Sequence, residues 1–300
     1  MLHSLGLSVP EEIIVPWVPN KNKDFASVIP DVAYTYSFED QNQYYNDYKK
    51  SFYGISHKKG GLGEGGSWDC MRHYEILANG CIPYFQDLDK CPPQTMTMFP
   101  KQLVAAAMRV PGVYPNRIDH NTFSGSDYQL YANAILKHTK ENLTTKAMGR
   151  YLLSKVEKPD AKSVLYLSGS VDPICIRDVM LHGLRSLLGP GLVDYPQVPH
   201  LYRSLSKEDA DQLLGKGFTL TRILDDINID RVTNNVLESI KNREYDLIVY
   251  GSVHQGFPLW SEVTASYDFK EIVLICGEDE HECCYIHNKH HHLFVKELKE

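Results

Sequence analysis

The chain has 300 residues, a formal charge of −7 and 43% apolar against 23% charged residues. That balance belongs to a globular protein long enough for two domains of ordinary size, each with its own core. No Lys/Arg block exceeds two residues, which argues against nucleic acid as the main partner, and no apolar run approaches the ~18–20 residues of a membrane helix.

The opening MLHSLGLSVPEE lacks a basic segment followed by an apolar one, so no secretory leader is expected. The seven cysteines are an odd number, several in apolar settings. They read as reduced thiols of a cytoplasmic protein. Residues 12–17 (EIIVPW) form a strand candidate ended by Pro16. Residues 21–36 read as helix or loop followed by a strand over 32–36. Residues 39–50, polar and rich in tyrosine, read as an exposed helix.

The next stretch, SFYGISHKKGGLGEGGSWDCMRHYEILANGCIPYF over 51–85, carries most of the information. It reads as strand, Gly-rich loop, helix, tight turn and strand. Ser67 or Asp69 is placed to cap the helix, and Asn79-Gly80 to stop it, with glycine suited to the left-handed position. Cys70, Tyr74, Leu77, Ala78 and Cys81 recur with helical spacing and predict a core-facing stripe. Trp68, Arg72, Glu75 and Asn79 fall on the other side. Lys58 and Lys59 precede the helix N-terminus, where backbone N–H groups and the helix dipole suit a phosphate. Spacing alone also admits a plain alternative, a solvated Arg72–Glu75 pair on a surface helix.

The run from Arg72 through Glu75 to Gly80-Cys81-Ile82-Pro83 resembles the signature of exostosin-type glycosyltransferases. More loosely, it resembles the Glu-x-x-Ala-x-Gly-x-Pro donor motif of GT-B enzymes. The likeness covers about residues 51–101. It implies an α/β, GT-B-like fold of two Rossmann-like domains facing across a cleft. It also implies transfer of a sugar from a nucleotide-sugar donor to a carbohydrate acceptor. By that resemblance Glu75 holds the donor ribose, and Arg72 with Lys58 and Lys59 holds the diphosphate. Ser56, at the end of the preceding strand, is the further donor-side candidate. Such proteins run from the lysines almost directly to the tryptophan, whereas here residues 62–67 intervene between Gly61 and Trp68.

Beyond the signature, residues 91–100 form a Pro-rich loop and 102–108 a short helix. Residues 127–155 form one long helix, with Gly149 as a bend. Lys158-Pro159-Asp160 marks the expected boundary between a donor domain (1–157) and a second Rossmann-like domain (158–300). From there strands and helices alternate: strands at 163–167, 192–195, 246–250 and 271–276, and a last edge strand at 293–295, with helices at 174–188 and 232–242. Small-residue loops after three of the strands predict a doubly wound parallel sheet, which binds ligands beyond its carboxyl ends. Ser170, Asp172, Ser252, His254, Glu278 and Asp279 would share that rim. In GT-B enzymes the donor half usually comes second. Here it comes first, which suggests a permuted or fragmentary order.

An inverting transferase needs a base for the acceptor hydroxyl and positive charge for the leaving diphosphate. Asp172 and His254 are the base candidates, though each also reads as an ordinary loop or capping residue. Arg72 and the lysines can carry the diphosphate, so no metal and no cofactor are expected. The segment His281, Cys283, Cys284, His287 and 290–292 lacks the ligand spacing of a zinc site and is read as a polar loop. No nucleophile elbow, metalloprotease helix or Walker loop is present. Two other readings remain open: a nucleotide- or sugar-binding protein without turnover, and an α/β pair with no sugar role.

Overall fold

The computed structural model describes residues 1–30, 32, 35, 38–60, 66–226, 235–277 and 291–298. In chain order the elements begin with β1 (Leu2–Ser4), β2 (Lys23–Phe25), α1 (Gln41–Lys50), β3 (Ser51–Ser56), α2 (Met71–Ala78), β4 (Ile82–Phe85) and α3 (Lys101–Ala107). A hairpin of β5 (Val113–Tyr114) and β6 (Arg117–Ile118) leads to α4 (Gly125–Asn142) and α5 (Thr145–Lys155). Then come β7 (Val164–Leu167), α6 (Cys175–Leu188), β8 (Leu192–Tyr195), α7 (Lys207–Asp211), α8 (Val236–Lys241), β9 (Leu247–Tyr250), α9 (Trp260–Ser266), β10 (Ile272–Cys276) and β11 (His292–Val295). Among the described residues no helix is long and apolar enough to cross a membrane.

The chain forms two compact units, an N-terminal unit of 6–144 and a C-terminal unit of 145–298 that also includes 1–5. The division therefore falls before α5, whereas the sequence placed it at 157/158. The physical reason is the packing of α5 along α6. A Cβ at Gly183 would come within 2.1 Å of the Thr145 carbonyl oxygen, and Thr145 Oγ1 lies 2.8 Å from His182 Nδ1. The single long helix expected over 127–155 is accordingly two helices. Leu143 ends α4 and offers its carbonyl to Val9 N, and Thr144 forms a parallel bridge with Val9. Gly149 lies within α5 rather than at the break.

The N-terminal unit is built on a parallel three-stranded sheet, β2-β3-β4, with Tyr53 opposite Ile82 and Ser56 opposite Phe85. Helix α1, capped by the Asp40 side chain, is not simply exposed. Tyr44, Tyr45 and Tyr48 lie buried on one side, as their i, i+1, i+4 spacing allows. The strand expected over 12–17 does not form. Glu11–Ile13 is a single 3-10 turn, and Val15 donates to the Ala78 carbonyl at the end of α2. The segment thus caps a helix end instead of joining a sheet. The strand expected over 32–36 lies mostly outside the described residues. Thr35, which is described, donates its amide to the Val32 carbonyl in a turn.

The C-terminal unit is an open, all-parallel six-stranded sheet of order β1-β11-β10-β9-β7-β8. This order is compatible with a Rossmann-like fold. Its strands are nearly continuous apolar runs, VLYL, LIVY and IVLIC, and every residue of β7, β9 and β10 is buried, as a sheet covered on both faces requires. β11 is not the edge expected from sequence. β1, from the other end of the chain, pairs outside it with Leu2 opposite Leu293. The chain adds β8 on one side of β7 and then β9 on the other, so the order of strands reverses there and the loops after β7 and β9 flank the switch point.

Candidate functional site

In the N-terminal unit the site is the path from β3 through the Gly-rich loop into α2. Residues 61–65, including Gly61, Gly63 and Gly65, lie outside the described residues. The two arms of the loop are tied by Lys59 N donating to the Ser67 carbonyl at 2.8 Å. Gly66 makes this closure possible. Its φ is +88°, and a Cβ there would lie 1.7 Å from the Lys59 carbonyl oxygen. The tie sets Lys58 and Lys59 beside the segment that starts α2, with Arg72 in its first turn. At the other end of α2, Gly80 takes the left-handed conformation expected of it, φ +64°.

The start of α2 is organised differently from the sequence reading. Neither Ser67 nor Asp69 caps the helix; Cys70 holds that position without a side-chain capping bond. Asp69 instead accepts Leu7 N at 2.8 Å and the Tyr74 hydroxyl at 2.6 Å, and Ser67 Oγ donates to the Asp69 carbonyl. Nor is there a solvated face opposite the core. Trp68, Glu75 and Asn79 are buried together with His73 through Ala78, and Arg72 is half-buried. Cys81 is a core residue, and burial pushes its thiol up to about 12.

Glu75 is only 7% exposed and accepts the Tyr44 hydroxyl from α1 at 2.8 Å. Tyr48 in turn donates to the Tyr44 oxygen at 3.3 Å. Burial, and secondarily the Glu75 carboxylate, hold the Tyr44 phenol well above its ordinary value. Tyr44 therefore stays a donor to Glu75. Ser56 is fully buried, with Oγ 2.6 Å from His73 Nδ1. His73 Nε2 lies 2.7 Å from the Trp68 carbonyl. A carbonyl only accepts, so Nε2 carries the hydrogen and Nδ1 accepts from Ser56. Burial pushes His73 down to about 3, with the Trp68 carbonyl opposing and Arg72 reinforcing the shift. A neutral imidazole thus locks the end of β3 to the start of α2. Tyr44 and His73 were not singled out from sequence. The available signals were the Tyr44/Tyr48 pair at i, i+4 and a histidine one position before the apolar stripe.

The base candidates belong to the C-terminal unit. Asp172 is exposed; its Oδ2 accepts from Ser170 Oγ at 2.7 Å, while its amide donates to the same Oγ at 3.1 Å. His254 is exposed in the loop after β9, and its Nε2 lies 3.1 Å from Cys276 Sγ. Cys276 is disulfide-bonded, which corrects the expectation of seven reduced thiols, whereas Cys70, Cys81, Cys91 and Cys175 form no disulfide. Glu278, Asp279 and the Cys/His-rich stretch through His290 fall outside the described residues. Among the described residues no group of three His, Cys, Asp or Glu is arranged to hold a metal.

Beneath this rim is a buried ionic network that sequence reading missed. Arg177 donates Nε and Nη2 to Asp178 Oδ1 at 2.9 and 2.6 Å, and Nη1 to the Ser170 carbonyl at 2.7 Å and Gln255 Oε1 at 3.1 Å. Asp178 Oδ2 takes His200 Nε2 at 2.7 Å and Ile174 N at 3.2 Å. All three ionisable residues are buried. One guanidinium therefore ties together the loops after β7 and β9, the two that flank the switch point. The signal was an adjacent Arg-Asp pair in a helix rich in apolar residues.

The structure thus brings Ser56, Lys58, Lys59, Arg72 and Glu75 onto one β3–loop–α2 element of the N-terminal unit, and sets Asp172 and His254 on separate loops of the other. Chemically, the first group offers cations and helix N–H donors for an anion, with a fixed carboxylate one turn on as a hydroxyl acceptor. The chain matches no protein-family model, and no curated protein or solved structure is significantly similar to it.

Proposed function

We propose that the chain is a glycosyltransferase that moves a sugar from a nucleotide-sugar donor to a carbohydrate or other hydroxyl acceptor, inverting and without a metal. The observation that carries this reading is the parallel β3–loop–α2–β4 unit. Its loop lysines and Arg72 stand at the helix start, and Glu75 is held by Tyr44. The exostosin-like residues Arg72, Glu75, Gly80 and Pro83 all fall on this unit. Glu75 binds the donor ribose, Arg72 with Lys58 and Lys59 neutralises the diphosphate, and Ser56 supports the pocket wall through His73. The N-terminal unit is then the donor half of a GT-B-type pair, and the C-terminal sheet is the acceptor half. Asp172 or His254 is the general base. The decisive experiment is a thermal-shift screen of nucleoside diphosphates, which should raise Tm, followed by product formation from the matching nucleotide sugars. No stabilisation by any diphosphate would remove the donor site. Transfer should also persist in EDTA; loss restored by Mn would overturn the metal-free mechanism.

One observation favours the alternative, a nucleotide- or sugar-binding protein without turnover. Asp172 and His254 both stand exposed on loops, Asp172 bonded to Ser170 and His254 lying against Cys276, rather than set in a buried site where a base is shielded from water. Binding of a diphosphate without transfer from any nucleotide sugar would select that reading.

A further inference from the structure

Among the described residues of the N-terminal unit two large aromatic side chains are exposed, Tyr114 and, far more fully, Trp17. Trp17 is 73% exposed, and among the described residues no aromatic ring packs on it. It does not sit on a loose arm. Val15 N is bonded to the Ala78 carbonyl at 2.8 Å, and Lys140 Nζ donates to the Pro16 carbonyl. The following Pro19 presses so closely on Gly80 that a Cβ there would lie 2.7 Å from the proline Cδ. The backbone that carries the indole is therefore held in place on both sides of Trp17.

Beside it is a cavity of about 300 Å³, bounded by Pro16 and Trp17 on one side and by Asn133, Leu136, Lys137, Lys140 and Glu141 of α4 on the other. These helix residues recur at i, i+3, i+4, i+7 and i+8 and share one face. Lys140 is committed to the Pro16 carbonyl, while the other polar groups are only partly engaged. Lys137 and Glu141 stand 4.0 Å apart, with side chains 76% and 59% exposed. Asn133 Oδ1 accepts from Gln129, which leaves its amide hydrogens available. The volume is at the lower end of the roughly 300–1,000 Å³ of small-molecule sites, too small for a partner helix. Its lining pairs one broad apolar face with an amide, ammonium groups and a carboxylate. A hexopyranose has the matching chemistry: a face of C–H groups that stacks on an indole, and a rim of hydroxyls that both donate and accept.

We propose that Trp17 and the exposed face of α4 form a saccharide-binding platform, distinct from the residues assigned to the nucleotide, which seats a hexopyranose unit of an oligosaccharide. The binding chemistry stands on these residues alone. Its role as a docking place for the acceptor glycan rests on the glycosyltransferase reading above.

The test is calorimetric titration of the full chain with cellotetraose, maltotetraose and chitotetraose, with no nucleotide present. At least one should bind saturably. Trp17→Ala should weaken that binding tenfold or more, and Asn133→Ala and Glu141→Ala severalfold. Tm should be unchanged in Trp17→Ala, since the side chain is already in water. No binding by any of the three sugars, or affinity unchanged in Trp17→Ala, overturns the proposal. So does a loss of self-association in Trp17→Ala by sedimentation, which would mean that the indole covers a second copy. Sugar binding without nucleoside diphosphate binding would keep the platform and sink the donor site; the reverse would sink the platform alone.

Discussion

His73 shows how one side chain can organise a site without touching a ligand. Its two nitrogens are used by Ser56 and the Trp68 carbonyl, and protonating the ring would bury a charge and force the Ser56 hydroxyl to turn from donor to acceptor. The folded state therefore keeps it neutral down to about 3, against 6.5 when unfolded. Between those values the unfolded chain binds more protons, so stability rises with pH. The contribution is present above about 6.5 and is lost as pH falls toward 3, by at most ~1.4 kcal/mol per pH unit for this group. His3 and His292, each pushed down to about 4 chiefly by burial, add the same sign between about 4 and 6.5. Urea midpoints should fall from pH 7.5 to pH 5 in the wild type and fall less steeply in His73→Gln, whose amide can still serve both partners. An equal slope would show that His73 is protonated in the folded state. Glu75 gives a second residue-scale expectation. Glu75→Ala should weaken nucleoside diphosphate binding by ~1–3 kcal/mol, the value of a charged hydrogen bond. Tyr44→Phe should cost less, since it loosens the carboxylate without removing it. Calorimetry on the two variants checks the order.

At the scale of elements, close backbone approaches decide what the side chains can do. Gly66→Ala would force a side chain onto the Lys59 carbonyl at a positive φ. It should destabilise the unit by ~1–2 kcal/mol or more and open the tie between the arms of the loop, lowering anion affinity along with the denaturation midpoint. In the C-terminal unit, Arg177→Met would strand the Asp178 carboxylate in the interior. The expected loss is ~3–5 kcal/mol. The double change Arg177→Met with Asp178→Asn should recover part of it, because no uncompensated charge is left behind. Denaturant unfolding of the single and double variants measures this. A loss below ~1 kcal/mol in the single variant would show that water or a counter-ion reaches Asp178.

At the scale of the whole molecule, the C-terminal sheet is completed by the first residues of the chain. β1 supplies the outermost strand, with the Leu293 amide donating to the Met1 carbonyl at 2.8 Å and the Leu5 amide to the Val295 carbonyl at 2.9 Å. Removing residues 1–4 would turn β11 into an unpaired edge. Hydrogen exchange at the Leu293 amide should then accelerate sharply, while amides of the central strands β9 and β10 keep most of their protection. Unchanged protection at Leu293 would show that β1 adds nothing to the stability of the edge.

Local pattern alone was enough to read β3, β4 and every strand of the C-terminal sheet except β1, together with the αL turn at Gly80. Each is written within a few residues, as a short apolar run bounded by turn chemistry, or as a glycine where only a glycine fits. The same holds for the clustering of Lys58, Lys59 and Arg72 around one helix start, since chain neighbours across a short loop stay neighbours in space. What lay beyond the sequence were outcomes set by partners far along the chain. The segment 12–17 has strand-like residues, but its hydrogen bonds go to the end of α2. The face of α2 bearing Glu75 looks solvated in sequence, yet α1 covers it with Tyr44. Arg177 and Asp178 read as two neighbouring charges until Ser170 and Gln255 converge on the first and His200 on the second. Three residues at the start of the chain form a strand only because β11 offers an open edge. Burial and hydrogen-bond satisfaction are properties of the assembled fold, and a pattern confined to neighbouring residues carries no record of which distant group will meet them.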